Sequence, residues 1–208
     1  MSIATVLLLS LIAALHAAAQ REEPQRPEVR PSRTIENLRA AIAGEANAAH
    51  RYAVFAQRAD REGHHQVAKL FRAAAESERV HRRNHEAVLR DLGEPVPEPR
   101  LEEVRVGSTR ENLRVPIEGE QEEMMVTYPR FIEEARADGV PAAVASFSYA
   151  RDAEAGHERL FRRALADLDR PPTPVDYWVH TETGVLEARP GDTQPVTVAA
   201  ARTAQRAG

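Results

Sequence analysis

Six carboxylate and imidazole side chains recur in this 208-residue chain at intervals suited to holding a pair of metal ions. Glu78-x-x-His81 and Glu154-x-x-His157 lie 76 residues apart, and each follows a lone glutamate, Glu45 or Glu120, themselves 75 apart. Those glutamates close matching segments, Glu36-Asn37-Leu38-Arg39-x-x-Ile42-x-Gly44-Glu45 and Glu111-Asn112-Leu113-Arg114-x-x-Ile117-x-Gly119-Glu120, identical at seven of ten positions. Residues three apart on an α-helix share a face, so each Glu-x-x-His can aim both side chains at one point. A repeated helix pair, each copy giving one Glu and one Glu-x-x-His, is the ligand arrangement of a carboxylate-bridged dinuclear centre in a four-helix bundle. Four carboxylates and two imidazoles suit iron, with manganese as the alternative, better than metals that prefer thiolate. Two divalent ions would offset the four negative charges. Without metal the cluster repels itself and its carboxyl pKa values rise.

A third match, Glu62-x-x-His65, lacks the repeat context and flanks Gly63, so it reads as a coincidence in a solvated turn. His50 and His85 share helices with the ligands but have no repeat partner, and are expected at the surface. Two amphipathic helices with charged outer faces would not explain duplication in phase.

Four helical stretches position these residues: about 34–61, ended by Gly63; 65–92, ended by Gly93; 108–137, before Asp138-Gly139; and 141–168, closed by Pro171-Pro172. Ser108 with Glu111 forms a capping box at the third start. Pro116, about two turns into that helix, is expected to kink or delay it just before Glu120. Short first and last connections around a longer, Pro-rich crossover (Pro95, Pro97, Pro99) predict an all-α, ferritin-like four-helix bundle with a short non-helical tail.

The flanks differ in composition. Residues 1–19 are mostly apolar and end in Ala17-Ala18-Ala19, as in a secretory signal cleaved near Ala19/Gln20, although no Lys or Arg precedes the run. The expected location is periplasmic or secreted, with a retained membrane anchor as the alternative. Residues 20–32 read as a flexible tether, 33–170 as the bundle and 171–208 as the tail. A net charge of −4 gives no reason to expect nucleic acid, and the absence of cysteine excludes disulfides and iron–sulfur sites.

Residues 33–170 resemble the rubrerythrin family, non-haem di-iron proteins that reduce hydrogen peroxide to water. The resemblance rests on Glu36-Asn37-Leu38 through Gly44-Glu45, Leu70-Phe71-Arg72-Ala73-Ala74-Ala75, Glu78-x-x-His81, Gly119-Glu120-x-x-Glu123 with Tyr128-Pro129, and Glu154-x-x-His157. It implies two iron ions bridged by Glu78 and Glu154, with Glu45 and Glu120 as terminal ligands and His81 and His157 as nitrogen donors. It also implies that Glu123, whose counterpart in the first repeat is Ala48, exchanges with a histidine as ligand of one iron. Tyr52, seven residues after Glu45, and Tyr128, eight after Glu120, match family tyrosines near the centre and would orient ligand carboxylates. Glu123, Tyr52 and Tyr128 are therefore the candidate catalytic residues. The implied partners are hydrogen peroxide, an external electron donor and further copies of the chain in a homodimer or larger homo-oligomer.

The tail resembles a rubredoxin-like module whose four cysteine positions are His180, Thr183, Gln194 and Thr197. Without thiolates it should bind no metal and relay no electrons. Its removal is expected to leave the centre intact. The expected function is an exported peroxide reductase serving oxidative-stress protection. The rival readings are a non-enzymatic iron- or manganese-sequestering protein and a ferrous-iron oxidase.

Overall fold

The computed structural model describes residues 32–191. Helix α1 (Ser32–Arg61) and helix α2 (His65–Asp91) form the first helical hairpin. Helix α3 (Thr109–Glu122), a π-helical turn (Glu123–Thr127), helix α4 (Tyr128–Ala137) and helix α5 (Pro141–Ala166) form the second. Strands β1 (Val175–Val179) and β2 (Leu186–Pro190) then pair antiparallel, with Val179 opposite Leu186. The ferritin-like bundle expected from the sequence is present. The signal reading and all of the tether reading but Ser32, which opens α1, lie outside the described residues.

Apolar residues recur every three or four positions on each helix, which puts them on one buried stripe. On α1 that stripe runs through Leu38, Ile42, Glu45, Ala49, Tyr52 and Phe55. Gly63, Gly93 and Gly139 adopt φ of 80°, 75° and 71°, which only glycine does at little cost, and each ends a helix. Ser108 and Glu111 make the expected capping box, each side chain accepting from the other's backbone N–H. Pro116 is buried inside α3 without ending it, so Glu120 is still presented from a helix.

The interior divides into two apolar cores. One holds Tyr52, Phe55, Phe71, Leu113, Ile117 and Phe161. The other holds Leu38, Ile42, Leu89, Phe131, Ile132 and Phe147, with Tyr128. On α1, α2 and α5, and in the run from α3 to α4, the charged motif falls between residues of one core and residues of the other. The polar site is thus enclosed by the bundle on both sides.

Candidate metal centre

Six of the seven proposed ligands converge. Glu45, Glu78, His81 and Glu154 form one group, and Glu78, Glu120, Glu154 and His157 a second; within each, the ligand atoms lie within 4.8 Å of one another. All six residues are buried. Glu78 and Glu154 belong to both groups, which is the geometry of bridging carboxylates. The arrangement is close to two-fold. His81 Nδ1 lies 2.9 Å from Glu78, 3.3 Å from Glu154 and 3.8 Å from Glu45. His157 Nδ1 lies 2.8 Å from Glu154, 3.2 Å from Glu78 and 3.9 Å from Glu120.

The tyrosines cross between repeats. Tyr52 donates to Glu120 and Tyr128 donates to Glu45, so each of these carboxylates is oriented by the opposite half. Burial, followed by the facing carboxylates, drives both phenols well above their ordinary value, so they remain protonated donors.

A cation fits this cluster. Burial first, and then carboxylate repulsion, raise Glu45 and Glu120 well above the usual range. Burial alone would lower His81 and His157, but the carboxylates around them prevail and hold each at about 10. Glu78 Oε1, both Glu154 carboxylate oxygens and His157 Nδ1 are buried and crowd one another without a well-aligned hydrogen bond. Four acids and two inward-facing imidazole nitrogens leave lone pairs that two cations would satisfy.

Glu123 belongs to neither group. It is half-buried at the start of the π turn, and burial, then Glu154 and Glu78, push it up to about 8. Its field therefore reaches the cluster although its oxygens are not among the converging ligand atoms. The π turn itself was not expected, because the sequence reads as a single helix over 108–137.

His85 is also a correction. It is fully buried rather than on the surface, with Nδ1 2.7 Å from Ser146 Oγ and Nε2 3.3 Å from the Tyr128 hydroxyl. Its signal was available as helical phase: four residues after His81, it shares the inward face. His50 is half-buried. Glu62 and His65 are exposed, away from the centre, but Glu62 has a role the turn reading missed. It accepts from the Thr109 backbone N–H at 2.7 Å and so caps α3 from α1's end.

The tail meets the centre directly. The hairpin turn is seated on α2, with Ser77 donating to the Gly184 carbonyl and Asn84 Nδ2 donating to the Glu182 carbonyl at 2.8 Å. Gly184 has φ 76°, and a β-carbon there would overlap His81 Nε2. This contact of the tail with a residue of the cluster is one that sequence periodicity cannot register. His180 is exposed, Thr183 lies in the turn, and Gln194 and Thr197 fall outside the described residues.

The family model described as Rubrerythrin matches residues 36–165. The chain is 36% identical over 138 residues to nigerythrin from Nitratidesulfovibrio vulgaris, covering 66% of this chain and 68% of that protein. It is 33% identical over 154 residues to a rubrerythrin from Porphyromonas gingivalis, covering 72% and 74%. A solved structure of fully reduced, all-ferrous nigerythrin superposes with a TM-score of 0.71 at 33% identity, covering 77% of this chain and 78% of that one.

Proposed function

The chain belongs to the rubrerythrin family, and from that premise we propose that it is an exported di-iron protein that reduces hydrogen peroxide to water with electrons from an external donor. The observation that carries the reading is the sharing of Glu78 and Glu154 between two ligand groups, which makes the cluster a site for two ions rather than one. When bound, a ferrous pair would supply the two electrons, and solvent the two protons, that hydrogen peroxide needs to become two waters.

The chain's own residues do the rest. Glu78 and Glu154 would hold both ions, while Tyr52 and Tyr128 fix the Glu120 and Glu45 carboxylates before substrate arrives. Two apolar cores restrict water around the site. Glu123 stands at the edge as the added acid, half-buried and easily protonated, placed to hold a proton or to turn toward a cation. Export is supported by the apolar run before Gln20. Self-association as a homodimer or larger oligomer belongs to the same proposal, and light scattering on the purified chain tests it.

The absence of cysteine supports a second reading, in which the centre sequesters iron or oxidises it once, because the chain holds no thiolate relay of its own. One experiment separates the two. Anaerobically reduced protein is mixed with peroxide or dioxygen in a stopped-flow instrument, then supplied with excess reductant. Faster reaction with peroxide and continued consumption are expected. A single stoichiometric oxidation, or preference for dioxygen, would assign the chain to sequestration or ferrous oxidation.

A further inference from the structure

The shells behind the two tyrosines overlay residue for residue when positions 76 apart are matched. Beside Tyr52 stand Phe71 and Phe161, with ring centroids 6.1 and 5.4 Å away. Beside Tyr128 stand Phe147 and His85, at 6.1 and 6.0 Å. Phe71 lies 5.3 Å from Phe161, and Phe147 5.2 Å from His85. His85 therefore occupies the place that Phe161 fills in the other half, and its partner Ser146 occupies the place of Leu70. All four are buried.

The Phe161–Leu70 side shows that an apolar pair packs this volume. A His–Ser pair costs desolvation that an apolar pair avoids, so space-filling does not account for it. What the polar pair adds is a hydrogen-bonded line from Ser146 through His85 and Tyr128 to Glu45. Donor bookkeeping fixes its direction. Glu45 as a metal-binding carboxylate only accepts, so the Tyr128 hydroxyl hydrogen points to it. His85 Nε2 must then carry hydrogen and donate to the phenol oxygen, while Nδ1 accepts from Ser146. The ring is fully buried with neutral partners on both nitrogens, an environment that favours the uncharged form with one N–H to give.

We propose that His85, backed by Ser146, is a positioning residue that acts through Tyr128 to polarise the hydrogen bond on Glu45, making the Glu45–His81 metal position a weaker carboxylate site than the Glu120–His157 position. Among the described residues the rings behind Tyr52 are Phe161 and Phe71, neither of which can donate, so Glu120 keeps more of its donor strength. The inference rests on the dinuclear reading above but not on the peroxide chemistry.

Cobalt(II) titration of the full-length chain, followed optically, tests it. Wild type should fill in two unequal steps. In H85F the weaker step should tighten about threefold, the scale of one modest neutral hydrogen bond, so that the two steps converge. H85Q, whose amide N–H can reach the same oxygen, should restore the wild-type inequality. In a Tyr128→Phe background H85F should change nothing further. Nitrogen-15 spectra of the zinc-loaded protein should show the His85 hydrogen on Nε2. The double variant H85F/S146L copies the packing of Phe161 and Leu70, and supplies a folded protein if H85F alone is unstable. An unchanged titration in either variant, an effect that persists without Tyr128, or the opposite tautomer overturns the proposal. A wild type that binds no cobalt would instead overturn the dinuclear reading on which it stands.

Discussion

Seven residues separate Glu45 from Tyr52 on the unbroken helix α1, whereas eight separate Glu120 from Tyr128, and the π turn at Glu123–Thr127 lies between them. Before the turn, equivalent positions in the two repeats are 75 apart; after it they are 76 apart. One inserted residue has been absorbed as a local widening of the helix, which keeps Tyr128 in phase with Glu45 just as Tyr52 is in phase with Glu120. Such turns are less well bonded than α-helix and cluster at functional sites. The difference teaches where the duplicated frame was altered. The first half places Ala48 three residues after its terminal ligand; the second places Glu123 there, at the first residue of the widened turn.

The strongest way to test the shared frame is to remove what both halves share. The double variant E78A/E154A should retain almost no metal, because each residue serves both ligand groups. Elemental analysis after loading checks this, and full occupancy would mean the centre lies elsewhere. Breaking the asymmetry should cost less. Glu123→Ala should keep both metals and slow peroxide turnover roughly 10- to 100-fold, the usual range for groups that support a metal site without anchoring it. Unchanged stopped-flow rates would reduce the π turn to a packing feature.

A smaller effect is expected from the tail, which touches His81 through its turn. Gly184→Ala adds a β-carbon against His81 Nε2 at a positive φ, and should weaken one of the two metal steps about tenfold while sparing the other. Equal weakening of both steps in a competition titration would point to general unfolding instead.

The convergence of the buried cluster was readable because helical spacing and duplication both constrain it: Glu78, His81, Glu154 and His157 repeat one helical spacing in two registers. The π turn was also written in the chain, as the offset between the tyrosine spacings, but a one-residue insertion does not say how a helix absorbs it. His85 was missed for a different reason. Residue type suggested a surface position, and its repeat partner, Phe161, hid the equivalence until the packing showed both rings in the same place. The seat of Gly184 on His81 joins residues 103 apart and leaves no periodic trace.

The last expected effect is a pH dependence in which the two halves should agree. In the metal-free protein His81 and His157 are each raised from 6.5 to about 10. A folded-state pKa above the unfolded one means stability fully present below 6.5 and lost as pH rises through about 10. Glu45 and Glu120, raised from 4.5, add the same sign of dependence beginning at lower pH. Glu154, held well below 4.5 by His157 and His81 against the effect of burial, acts oppositely, but only in acid. Melting temperatures of the metal-free chain should therefore fall steadily between about pH 6.5 and 10. Loading with metal should flatten or reverse that slope, because binding requires deprotonated ligands and strengthens with pH. H81Q and H157Q should each remove about half of the metal-free slope, since their surroundings are nearly equivalent. A slope carried by one histidine alone would show that the asymmetry around Tyr128 extends into the ligand cluster itself.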